Sequence, residues 1–206
     1  MAKDKQNIRV YDWCRALPIY LVAGGAVGLL ASFSLSLEKL ASLADPTRTA
    51  LCDINPVLSC GSVMDSAQAS LFGIPHSFIG IGLFSALITV GVLLLTGSKL
   101  AQWIWATLIG VSFLGFLAVQ YLVYQSIFVL QALCPWCMVV WLIVVPIFFG
   151  VTAYVMRHKL LTLENNAIRK SLSFINNHGG LLLSVWFIIV AYLIIVQFWF
   201  YWSTLL

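Results

Sequence analysis

The sequence predicts an all-α integral membrane protein, and three observations carry that expectation. Hydrophobic residues fill 62% of the 206 positions and charged residues only 9%, with a mean hydropathy of +1.00, far from the soluble range. The apolar residues gather into five runs, each close to the roughly 20 residues that a bilayer-crossing helix needs. Within each run they are continuous and do not alternate with polar residues as in a barrel strand, which leaves helices as the way to satisfy every backbone amide in lipid.

Residues 1–16 form a polar N-terminal segment carrying Lys3, Lys5, Arg9 and Arg15. The first span runs from Leu17 to Leu37, followed by a long loop over residues 38–73. The second, third and fourth spans cover Ile74 to Thr96, Ala101 to Tyr124 and Cys134 to Met156, so residues 17–156 make one membrane domain. A connector over residues 157–179 follows; its stretch Leu160 to His178 is either a helix lying along the membrane surface or a plain linker. The fifth span, Gly180 to Tyr201, lies in the final segment 180–206. Gly24, Gly28, Gly80, Gly82, Gly110 and Gly115 are expected to let helices approach closely. There is no internal repeat, phosphate-binding loop or nucleotide motif.

Positive charge is retained on the cytoplasmic side. The basic residues at the N-terminus, Lys99, and Arg157, Lys159, Arg169 and Lys170 all map to one side of five spans, against Lys39 and Arg48 on the other. The N-terminus is therefore expected in the cytoplasm and the C-terminus outside. The first apolar run is as long as a span and no small-residue cleavage site follows it, so it reads as an anchor and not a cleaved signal. The net charge of +4 reflects this topology and anionic headgroups, which argues against nucleic-acid binding.

Both outer connections carry cysteine pairs. In Cys134-Pro135-Trp136-Cys137 two thiols three apart share a face at the start of a helix, where unpaired amides and the helix dipole favour a thiolate. Pro135 suits a first helical turn and Trp136 a membrane interface. Cys137 should sit just inside the acyl boundary, within reach of a lipid-soluble oxidant such as a quinone. Cys52 and Cys60 lie in the long loop, where a stapling disulfide is common on the oxidising side of a membrane. A four-cysteine zinc site is disfavoured, because the loop pair lacks the usual C-x₂-C spacing. A loop pair together with a membrane-edge pair points instead to a thiol relay.

The order of loop cysteine pair, serine, second span and then C-x-x-C at the head of the fourth span resembles the vitamin K epoxide reductase family, including its bacterial disulfide-forming members. The resemblance covers roughly Pro18 to Met156. It implies a four-helix bundle around a quinone pocket, closed by the loop and a short helix near Cys60 to Ser70, with a fifth transmembrane helix similar to one that leads to a fused thioredoxin-like domain in some members. The chain stops at Leu206, so the resemblance implies a separate periplasmic thioredoxin-fold partner and a bacterial inner-membrane location. By the same resemblance Cys52 exchanges with the partner, Cys60 passes electrons to Cys134, and Cys137 faces ubiquinone or menaquinone. Ser66 matches a loop serine that steadies the loop; an ordinary helix-surface serine is its plain alternative.

Two positions depart from the vertebrate pattern of that family. His76 stands where the pattern has an asparagine bonding a quinone carbonyl, and Trp141, four after Cys137, stands where it has a tyrosine. Either side chain can still donate a hydrogen bond, and His76 can also supply a proton. An interfacial histidine and a packing or lipid-facing tryptophan are the plain alternatives. Asp53 is a solvated loop carboxylate by default, and Cys14, on the reducing side, is read as a spectator. Three functions stay in view: a quinone-linked thiol oxidase, a reductase of vitamin K or its epoxide, and a non-enzymatic membrane protein with structural disulfides. A different bacterial quinone-linked disulfide oxidase carries its C-x-x-C in the first outer loop, the reverse of the order here.

Overall fold

The computed structural model describes residues 2–45, 50, 52, 53, 55, 57–64, 70, 71, 74–160 and 166–199, without the side chains of residues 2–15, 70, 71 and 74. Continuous apolar runs become helices as expected: five are long and apolar enough to cross a membrane. In chain order the helices are α1 (Ala2–Ala44), α2 (Cys60–Met64), α3 (His76–Leu95), α4 (Gln102–Tyr124), α5 (Pro135–His158) and α6 (Asn166–Gln197), with a π-helical turn Gln125–Val129 prolonging α4. Strand structure among the described residues is limited to β1 (Ser70–Leu71) paired antiparallel with β2 (Ile74–Pro75) and one isolated bridge described below. Ser66 lies outside the described residues, as do the side chain of Cys14 and residues 200–206.

Two helices run past their expected ends. The stretch Leu37-Glu38-Lys39-Leu40-Ala41-Ser42-Leu43-Ala44 is rich in strong helix formers, so α1 continues to Ala44 and takes the start of the loop with it. The last helix begins at Asn166, and the Gly179-Gly180 pair does not interrupt it. Apolar residues at helical intervals in the connector thus belong to the same helix as the final span.

The closest helix pair is α1 with α3, and glycine makes it possible. A Cβ on Gly28 would lie 2.4 Å from the Phe84 ring, and one on Gly91 would lie 3.0 Å from the backbone nitrogen of Val22. Gly80 abuts Ser32 and Gly24 abuts Ile143, but Gly82 and Gly110 face open space, so those two serve no helix contact. Helix α5 is central, packing on α1, α4 and α6, and Val145, Val151 and Thr152 on it are fully buried. Stacked and tilted rings of Phe113, Phe116 and Phe148 join α4 to α5. Helix α6 is tied on by the Trp186 indole N–H, which donates to Gln120 Oε1 at 2.9 Å. By contrast α3 and α4 make little direct contact. Between them, backed by α5, lies a cavity of about 780 Å³.

Candidate active site

The site begins with the backbone around Cys60. Asn55 accepts the N–H groups of Val57 and Leu58 on its side-chain oxygen, at 3.1 and 2.7 Å, the turn chemistry typical of Asn. This presents Val57 to Ser59 as a short extended segment, which meets the chain just before Cys134. Leu58 forms a parallel bridge with Leu133: Leu133 N–H donates to Val57 O at 2.7 Å, and Ser59 N–H donates to Leu133 O at 3.1 Å. Two segments distant in sequence are thereby registered immediately ahead of their cysteines.

The lid helix α2 is only five residues long, too short to stand on propensity, and its free N–H groups are capped from two sides. Ser59 accepts the Ser62 N–H at 3.2 Å, as an N-cap serine does. Asp53 Oδ1 accepts the Gly61 N–H at 3.0 Å, so close that a Cβ on Gly61 would come 2.9 Å from Oδ2. Slight burial pushes the Asp53 carboxyl pKa up, but hydrogen bonds from Gly61, the Ser59 hydroxyl and the backbones of Cys60 and Ala50 outweigh this and hold it below the usual carboxylate value. Asp53 is therefore a structural cap of the lid and more than a solvated carboxylate.

These contacts bring the four loop and span cysteines together. Cys52 and Cys60 form a disulfide, while Cys134 and Cys137 are free thiols. Cys134 Sγ lies 3.3 Å from Cys60 Sγ, within the range of a near-attack arrangement. Cys60 and Cys134 are both 0% exposed; Cys52 is half-buried and stands at the outside of the pair.

Cys134 occupies the N-cap position of α5, just before the span begins, without a side-chain capping bond. Its thiol pKa lies below the usual cysteine range, first because the Cys137 thiol hydrogen-bonds to its sulfur. Burial opposes this, the N–H groups of Cys137 and Trp136 reinforce it, and the charge of Asp53 opposes it. A thiolate at a helix N-terminus is the nucleophilic form needed for exchange.

Cys137 faces inward, to a small cavity of about 20 Å³ lined by Lys39, His76 and Ser77 among others. Ser77 is fixed there by Ser36 of α1, their hydroxyls 3.0 Å apart. His76, the first residue of α3, lines both this cavity and the large one between α3 and α4. The large cavity is walled mainly by aliphatic side chains and falls in the size range of ligand pockets. Trp141 is 3% exposed and packs in the same buried cluster as Cys60, Cys134 and Cys137. Its indole N–H has no hydrogen-bond partner among the described residues, an uncommon state for a buried donor. A membrane-soluble carbonyl compound with an apolar tail suits the large cavity: aliphatic walls, with a histidine at the end it shares with the Cys137 cavity.

Sequence reasoning missed Lys39 at the cavity, the cap formed by Asp53 and Ser59, and the Leu58–Leu133 bridge. Ser59, a residue type favoured at helix N-caps, was a readable signal; the bridge had none.

The model of the vitamin K epoxide reductase family matches residues 19–152 of this chain. That stretch holds the two cysteine pairs, His76 and Trp141 and ends before α6. No curated protein matches the chain.

Proposed function

The chain belongs to the vitamin K epoxide reductase family, membrane oxidoreductases whose chemistry links thiols to quinone-type electron carriers, and from that premise we propose that it is a quinone-linked thiol oxidase. In this reading it reoxidises a periplasmic thioredoxin-fold dithiol protein from the bacterial inner membrane, with its N-terminus in the cytoplasm and C-terminus in the periplasm. The observation that carries it is the 3.3 Å contact between Cys134 and the sulfur of Cys60 that is already bonded to Cys52.

The cycle starts with both pairs oxidised. A partner thiolate attacks Cys52, the accessible sulfur of the loop disulfide, and Cys60 leaves as a thiolate. Cys60 attacks Cys134, breaking the Cys134–Cys137 bond and releasing the Cys137 thiolate toward the small cavity. The partner's second thiolate displaces Cys52, which leaves the partner oxidised. Cys52 then attacks Cys60 and frees Cys134. The product has a Cys52–Cys60 disulfide and a Cys134–Cys137 dithiol, the pairing seen here.

A quinone, ubiquinone or menaquinone, takes up the two electrons and two protons of that dithiol, restoring the Cys134–Cys137 disulfide. Toward it His76 offers a hydrogen bond and a proton from the head of α3, and Trp141 offers its unused N–H. The aliphatic cavity between α3 and α4 would hold the tail and keep water from the reacting sulfur. Ser66, by family resemblance, steadies the loop.

A partner variant lacking its resolving thiol tests the order of exchange. It should accumulate a mixed disulfide that maps to Cys52, absent in Cys52→Ser and present in Cys137→Ser. A mixed disulfide on Cys60 or Cys134 would overturn the order given.

A further inference from the structure

Lys39 lies in the last two turns of α1, the helix that forms the first span. It is held by the unexpected continuation of α1 to Ala44, and two observations bear on its use. Its ammonium donates to the carbonyl of Met64, the last residue of α2, at 3.0 Å. It also lines, with His76, Ser77 and Cys137, the cavity of about 20 Å³, a space with room for about one water molecule, so its lining groups converge closely. The short lid thus has Cys60 at one end and Lys39 clamping the other.

We infer that Lys39 is a positioning residue of the relay: by clamping the end of α2 onto α1 it holds Cys60 against Cys134 and keeps a cation at the cavity of Cys137. The inference rests on the proposed relay and deepens it. The caps on α2 satisfy its N-terminal groups, whereas its terminal carbonyl is bonded to Lys39, a cation at the helix end that favours one. Without that bond the lid keeps its cysteine but loses one of its attachments to the bundle. Negative charge forms repeatedly inside the cavity, each time Cys137 leaves as a thiolate, and a nearby ammonium favours the closed lid at those moments.

The test reads position without quinone or turnover. In a Cys14→Ser, Cys52→Ser, Cys137→Ser chain the remaining thiols, Cys60 and Cys134, lose two electrons and two protons to oxidised glutathione as their disulfide forms. The glutathione ratio at half-formation gives their effective concentration. Lys39→Met should lower it about tenfold, the size of effect that loss of a charge-assisted hydrogen bond produces. Lys39→Arg should restore it to within about threefold, and Lys39→Gln, which keeps a donor but no charge, should fall between. Formation of Cys52–Cys60 in a Lys39→Met chain with its cysteines intact checks that the loop is folded, and Lys39→Gln serves as the milder variant if it is not. Equal effective concentrations in all four chains would overturn the role of Lys39. Failure of Cys60 to pair with Cys134 even with Lys39 present would instead refute the relay.

Discussion

Asp53→Ala removes the carboxylate that accepts the Gly61 N–H at 3.0 Å and leaves the start of α2 to Ser59 alone. Losing a helix cap costs about 1 kcal/mol. The cap joins residues on either side of the Cys52–Cys60 bond, so it favours the closed loop, and the loss falls mainly on the oxidised form. About 30 mV corresponds to 1.4 kcal/mol in a two-electron couple, so the loop disulfide should become easier to reduce by about 20 mV. The assay is equilibration with glutathione buffers in a Cys134→Ala, Cys137→Ala background, read by mass after alkylation. Asp53→Asn, which keeps an acceptor oxygen but loses the charge, should recover only a minor part of the difference. The acid dependence has a definite sign. Because the folded carboxyl pKa is depressed, its contribution is complete above the unfolded value of about 3.9 and is lost as pH falls through the lower folded value. Reduction by an acid-tolerant phosphine should therefore separate wild type from Asp53→Ala at about pH 5 and merge them in stronger acid. Coincident potentials near neutrality, or a difference that persists unchanged in strong acid, would refute the cap argument.

Leu133→Pro deletes the N–H that donates to Val57 O at 2.7 Å; cross-linking between Cys60 and Cys134 should fall at least tenfold while Cys52–Cys60 still forms, as read on non-reducing gels. Trp141→Phe removes an indole N–H with no partner among the described residues, so thermal stability in detergent should hold or rise. The same variant should raise the KM for quinone about threefold to tenfold, the range for one hydrogen bond. Gly91→Val puts a side chain 3.0 Å from the Val22 backbone nitrogen and should destabilise the fold by about 1–3 kcal/mol. Gly82→Ala, facing open space, should leave the melting temperature unchanged.

Much of this architecture was legible because lipid restricts the choices. Continuous apolar runs gave five spans, since a bilayer allows only helices or a closed barrel and runs without alternation fit the helix. Helix ends were harder. Lys39 looked like the start of a loop because charge was read as leaving the membrane, whereas the helix propensity of the residues around it carries α1 to Ala44. Small-residue counting overreached at Gly82 and Gly110 and missed Gly91, because which helical face meets a neighbour is a tertiary fact. The four cysteines could be nominated from spacing and resemblance, but their contact depends on the bridge between Leu58 and Leu133, a backbone pairing between distant apolar segments that leaves no pattern in either. His76 and Trp141 were singled out by position in the family pattern; their surroundings, two adjoining cavities for one and an unused N–H for the other, came only with the fold.

The central claim is that electrons leave a partner dithiol through four cysteines and reach quinone from the Cys134–Cys137 pair. The most direct measurement is the rate at which purified protein reoxidises a reduced periplasmic thioredoxin-fold protein, with and without ubiquinone, for wild type and Cys137→Ser. The account predicts multiple turnovers only with quinone, and none beyond a single stoichiometric exchange for Cys137→Ser. Turnover that continues in Cys137→Ser, or that proceeds without quinone under exclusion of oxygen, would contradict it.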